Sequence, residues 1–116
     1  MFFFEHSKVP VLLSYLAPIT VNAICLGPFV FCRGTASERL RRHETIHWEQ
    51  QKELLIVGFL LVYLYDFLKN TLVFGWSRDA YRFTRAEIEA HTYDEDVEYL
   101  DTRVRYRWLS ARVTVL

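Results

Sequence analysis

The stretch Arg41-Arg42-His43-Glu44-Thr45-Ile46-His47-Trp48-Glu49-Gln50-Gln51 decides how the rest of the 116-residue chain is read. Its centre has the form H-E-x-x-H. Residues four apart share one face of a helix, so His43 and His47 can offer two imidazoles to one divalent ion. Glu44 stands one residue on from the first imidazole. It is badly placed to ligate, but it can reach a water beside the ion and act as a general base. The pattern predicts a helix through these residues and a site for one Zn²⁺ ion on it. The plainer alternative is two solvent-facing histidines at a charged helix start, since Arg41, Arg42, Glu44 and Glu49 surround them.

Toward the amino end, Gly34-Thr35-Ala36-Ser37 reads as a loop. Ser37 is a candidate N-cap, without a capping box because Glu38 follows it directly. Two short runs precede the loop, residues 20–25 and 29–32. Both are rich in β-branched and aromatic side chains, and Gly27-Pro28 lies between them. They read as two strands, or as one strand with a kink. Residues 1–18 are apolar without a clear period. The seven-residue spacing of Cys25 and Cys32 sends the two thiols to opposite faces of an extended segment, so a disulfide requires the Gly27-Pro28 turn to fold the chain back. Otherwise both serve as small buried apolar groups.

Toward the carboxyl end, the zinc-motif helix is expected to run from about Glu38 to Lys69. From Leu54 to Tyr65 it carries twelve residues without a charge. A helix apolar all round is buried in protein or faces lipid. A chain of this size can hardly surround one, which makes this stretch a candidate contact with a membrane surface or a hydrophobic partner. A connection through Gly75 follows, then a second helix over residues 84–100, opened by Thr84 and Glu87 at capping-box spacing. That helix is crowded with acids. Arg103, Arg105 and Arg107 then alternate with Val104, Tyr106 and Trp108, a period of two that suggests a strand whose charged face pairs with the acidic helix or meets anionic groups.

Composition narrows the class. Hydrophobic residues make up 52% and aromatic ones 16%, which excludes a disordered chain, and the length suits one domain over residues 1–116. The net charge of zero gives no electrostatic case for nucleic acid, and none is expected as a partner. Residues 9–32 carry no acid or base until Arg33, a length that can cross a bilayer, but Pro10, Pro18 and Pro28 argue against a regular helix there. The amino end has no clear signal-peptide pattern, because Glu5 and Lys8 cancel. A cytoplasmic or membrane-associated location is the expectation.

Two histidines leave a tetrahedral ion short of ligands. A catalytic site needs a third protein ligand and one open position. Glu87-Ile88-Glu89-Ala90-His91 is the best source. Glu87 is the first candidate. Glu89 is the alternative, because Glu87 can instead be spent as the capping-box partner of Thr84. His91, one turn after Glu87, can be a ligand, an orienting group or a hydrogen-bond donor to a transition state. Gln50, three residues after His47, falls on the metal face and can support the ligands.

Arg42 through Leu55, the aromatic-apolar helix after it, Glu87-Ile88-Glu89-Ala90, and the earlier Leu26-Gly27-Pro28-Phe29-Val30-Phe31 together resemble a family of short zincin-like proteins common in Bacteroidetes, over roughly residues 20–100. More broadly, H-E-x-x-H with a downstream Glu resembles the gluzincin metallopeptidases. That resemblance implies His43, His47 and Glu87 as zinc ligands and Glu44 as the base. The chain departs from the pattern at His91, where the E-x-x-A-D version has Asp. The fold expected is α+β and mostly helical: a minimal zincin-like domain with a small sheet before a long H-E-x-x-H helix, and a second helix carrying the third ligand. The function expected is zinc-dependent hydrolysis of a peptide or amide bond in a peptide or protein substrate, with the sheet edge holding an extended chain. The rivals are a non-catalytic zinc-binding protein and a membrane-associated interaction protein.

Overall fold

Gly27 takes φ 60, a left-handed conformation that side chains disfavour, and the Gly27-Pro28 pair becomes a two-residue hairpin turn. It joins β2 (Ala23–Leu26) to β3 (Phe29–Cys32), antiparallel, with Leu26 opposite Phe29. A third strand, β1 (Phe2–Phe4), runs parallel to β3 on its other side, giving the order β1-β3-β2. The computed structural model describes residues 1–15 and 21–111; the expected start of the first strand at Thr20, and Pro18, lie outside them. Three phenylalanines in a row carry no period, so β1 could not be read from the sequence. The same holds for the short helix α1 (Val9–Ser14), which begins at a proline near its first turn.

The hairpin corrects the reading of the cysteines. Folding back places Cys25 opposite Val30 and Cys32 opposite Ala23, so both thiols point to the same, inner face as diagonal neighbours. Diagonal pairs lie about 7–8 Å apart, too far to bridge, and both cysteines are free and buried. They form a core with Val30 and Ala36, closed by Phe3, Leu40 and Trp48. The outer face of the sheet exposes Phe2, Phe4 and Phe29, with Phe2 stacked on Phe29 and Phe4 on Phe31 across the strands.

The next element, α2 (Glu38–Glu53), starts where Ser37 Oγ accepts a hydrogen bond from the Leu40 amide at 3.1 Å. It does not continue to Lys69. Gln51 is fastened to the hairpin, donating to Cys25 O at 2.9 Å and accepting from the Gly27 amide at 2.7 Å. The Glu53 carboxylate is claimed by Arg103, by the Tyr106 amide and by the Trp108 indole. These anchors hold the last turn of α2, and the chain turns a corner through Leu55 and Ile56, both at positive φ (59 and 61). The helix α3 (Val57–Phe74) then sets off anew. The apolar run from Leu54 onward hides the corner, because nothing in its composition marks a stop.

The new direction lets Phe59 reach a core with Ala86 and Trp108. Only Phe59 and Asp66 of α3 are buried. Asp66 is clasped by Arg85 at 2.9 and 3.0 Å. Helix α3 runs through the stretch expected to be a connection and stops at Gly75, φ 74. Two short helices follow, α4 (Arg78–Arg82) and α5 (Arg85–Tyr93). Thr84 caps α5 by accepting from the Glu87 amide at 3.3 Å. The acidic stretch does not stay helical to Leu100: α5 ends at Tyr93 and a single turn, α6 (Tyr99–Thr102), comes after. The alternating arginines form no strand among the described residues. Arg103, with a side chain only 5% exposed, bridges Glu53 and Glu89, and a 3₁₀ turn covers Arg107–Ser110. Pairing of the basic segment with the acidic helix holds for Arg103 and Glu89. The whole is an α+β fold, mostly helical, with a small three-stranded sheet.

Candidate metal centre

Helix α2 turns an unusual face inward. Its buried residues are His43, Glu44, Ile46, His47, Gln50 and Gln51, five of them polar. Burying so many polar groups is costly unless each has a partner, and α5, packed across α2, supplies most of them.

His43 and His47 are each held from behind. His43 Nδ1 lies 3.0 Å from Asp94 Oδ2; a carboxylate only accepts, so the ring donates there and directs Nε2 the other way. Asp94 is itself gripped by Arg39 Nε at 3.1 Å, and its carbonyl by Arg42 at 2.7 Å. His47 Nδ1 lies 2.8 Å from Gln50 Oε1. The Gln50 amide cannot be turned over, because its nitrogen faces two acceptors, Ala86 O at 3.0 Å and Glu89 Oε1 at 2.9 Å. Both imidazoles are thereby fixed in the state that aims Nε2 at the same place.

That place is the Glu87 carboxylate. Glu87 Oε1 is 2.7 Å from His47 Nε2 and 3.5 Å from His43 Nε2, and it accepts from Tyr81 Oη at 3.1 Å. Glu87 does not close a capping box. Thr84 caps with its hydroxyl, and the Glu87 side chain turns inward to the histidines. His91, one turn further along α5, makes a trio with two of these: one ligand atom each from His43, Glu87 and His91 lies within 4.8 Å of the others, a set that does not include His47. Among the described residues only two buried side-chain polar atoms lack a hydrogen-bond partner, Glu87 Oε2 and His91 Nε2. Two orphaned lone-pair donors in one cluster of histidines and a carboxylate fit a cation. A tetrahedral ion with ligands at about 2.0–2.1 Å spaces its ligand atoms roughly 3.3 Å apart, close to the His43–Glu87 separation; His47 and Glu87 need to part by about half an ångström.

Glu89 is not brought into this group. Its oxygens are taken by Gln50, by Tyr99 Oη and by Arg103 at 2.9 and 3.0 Å, which leaves none turned to the histidines. The alternative third ligand is a structural carboxylate. Asp94 is the reverse case. It stands seven residues after Glu87, two turns along the same helical face, but its signal was lost in the crowd of acids around it. Tyr81 had no signal at all in the sequence, because α4 alone places it.

Comparison with models of known protein families, with curated proteins and with solved structures finds no match to this chain.

The cluster lies in an open cleft of about 940 Å³. Strand β2 borders it, and Phe59 and Tyr63 of α3, Tyr81 and Arg82 of α4, and Glu44 line it. Charge in the cluster is strongly coupled. Burial opposes charging His47, but the Glu87 carboxylate beside it outweighs burial and raises the ring to about 9. Burial likewise opposes the Glu87 carboxylate, yet His47 and His43 hold it well below the usual carboxylate range. Burial raises Glu44, against the pull of His47 and His43. Burial also keeps His91 neutral, lowering it to about 4. A proton shared by His47 and Glu87 thus sits where a cation fits, beside a carboxyl with elevated proton affinity.

Proposed function

We propose that this protein is a zinc-dependent hydrolase of peptide or amide bonds, built as a minimal zincin-like domain. The observation behind this reading is the convergence of His43 Nε2 and His47 Nε2, each locked from behind, on Glu87, with Glu44 in the same cleft. His43, His47 and Glu87 would hold the ion as three protein ligands, the number a catalytic site uses. Zinc so held supplies Lewis acidity to a substrate carbonyl and lowers the pKa of a nearby water.

The chain's own groups do the rest. Glu44, whose burial raises its proton affinity, takes the proton from the attacking water and returns it to the leaving amine. Asp94 and Gln50 keep the histidines in the ligating tautomer. His91, neutral and with an unpartnered Nε2, would meet the developing oxyanion in the tautomer that carries its proton on Nε2, and would offer the ion a lone pair in the other. Strand β2 pairs with β3 on one side only among the described residues and borders the cleft; Gln51 already takes its Cys25 carbonyl, so an extended substrate can add to the outer edge only at the Ala23 end.

The rival is a zinc staple. If His91 is a fourth ligand the site is closed, and zinc merely ties α2 to α5. The test is zinc content and hydrolysis of mixed peptides by the native protein, Glu44→Gln and His91→Ala. Hydrolysis lost in Glu44→Gln with zinc retained supports the enzyme. A zinc-loaded native protein that cleaves nothing, and that loses its zinc in His91→Ala, leaves the staple.

A further inference from the structure

The largest anomaly outside the cleft is the outer side of α3. This helix is long and apolar enough to cross a membrane by length and composition. A core helix passes the same test, but a core helix is buried and this one is not. Val57, Leu61, Leu64, Leu68 and Leu72 are all more than half exposed. Their spacing of three and four places them on one stripe, which at 1.5 Å per residue extends about 22 Å. The stripe continues past the corner, where Leu55 is 84% exposed, to the hairpin tip, where a Cβ placed on Gly27 would meet Ile56 Cδ1 at 3.7 Å and where Leu26 and Phe29 are also exposed. Soluble monomers seldom leave so continuous an apolar ridge in water.

We infer that this ridge seats the protein on a lipid bilayer carrying anionic headgroups, with α3 lying in the interface. Charge selects lipid over a second copy of the chain. The only acid of α3, Asp66, is buried and neutralised by Arg85. The exposed charge left on the helix is Lys69, and exposed Arg78 follows past its carboxyl end, at the rim of the cleft, with no acid paired to it among the described residues; Asp79 is the one acid of α4, and Arg82 belongs to the cleft. Exposed Trp76 and Tyr65 are the side chains that favour the headgroup level. A two-fold contact would set these cations against each other or against bare leucine, whereas a surface of phosphates matches them. The helix lies on the bilayer and does not thread it, because its inner side is committed to protein through Phe59 and the Asp66–Arg85 pair.

This inference stands apart from the catalytic reading, and its test reads no activity. The full chain is mixed with vesicles of phosphatidylcholine alone or with added phosphatidylglycerol, pelleted, and assayed for bound protein and zinc. The native protein is expected to pellet with the anionic vesicles and less with the neutral ones. Leu61→Gln and Leu68→Gln, at exposed positions, are each expected to weaken binding about tenfold with zinc content and helical signal unchanged. A blue shift of tryptophan emission on binding is expected to vanish in Trp76→Phe. Equal pelleting of native and Leu→Gln proteins overturns the inference. So does a native protein that ignores both vesicles and sediments as a dimer that the same substitutions split.

Discussion

Asp94 Oδ2 lies 3.0 Å from His43 Nδ1, although 51 residues separate them. The contact joins the carboxyl end of α5 to the first turns of α2 and decides which nitrogen of His43 faces Glu87. Asp94→Asn keeps the shape and removes the charge. Zinc affinity is expected to fall about 10–100-fold, measured by competition with a chelator of known strength, while the far-ultraviolet spectrum stays unchanged.

Glu87 and Glu89 are two residues apart and have opposite fates on substitution. Glu87→Gln is expected to lose bound zinc. Glu89→Gln is expected to keep it and to lose about 1–3 kcal/mol of stability, because Arg103 stays buried with only Glu53 to balance it. Metal analysis beside urea unfolding of the two variants separates the roles. Zinc loss in Glu89→Gln with retention in Glu87→Gln would reverse the assignment.

The cluster also sets a pH dependence. In the metal-free protein His47 is raised from 6.5 to about 9, so the folded state holds this proton more tightly than the unfolded chain. That stabilisation is complete below pH 6.5 and drains away as the pH rises through 9. Thermal melts in excess chelator are expected to show the midpoint falling over this interval. Zinc has to displace the same proton, so its apparent affinity should rise across that range by about tenfold per pH unit. A metal-free protein more stable at pH 9 than at pH 6.5 would contradict the His47–Glu87 pairing.

Burial, followed by the nearby Glu44 charge, pushes the Cys25 thiol up to about 12. Cys32 is raised as well, for the same first cause. Both thiols are expected to resist iodoacetamide at pH 8 in the folded protein and to react together once it is unfolded. Mass spectrometry counts the adducts. A reductant should leave the melting temperature unchanged, since the thiols are free.

Leu55 holds a left-handed conformation with its side chain in solvent. Leu55→Gly relieves that strain and gives up little packing, so it should stabilise the protein by about 0.5–1 kcal/mol in chemical unfolding.

How much of this was legible beforehand depended on how local each signal was. The H-E-x-x-H helix, its Ser37 cap and the strands flanking Gly27-Pro28 could be read because each rests on a few neighbouring residues. The end of α2 could not, since it is dictated by what Gln51 and Glu53 grasp across the molecule. Arg103 to Trp108 alternate like a strand, yet the segment serves as a row of anchors, with Arg103 and Trp108 both bonded to Glu53. Glu87 was a candidate by spacing, whereas Asp94 and Tyr81 enter the site only through the way α4 and α5 lie across α2.

Helix α3 faces two ways. Its inner side gives Phe59 and Tyr63 to the cleft wall, its outer side is a ridge of leucines, and Asp66 rivets it to Arg85 in between. It is one stiff lever. Whatever tilts it from outside also moves Phe59 and Tyr63, and with them one wall of the cleft.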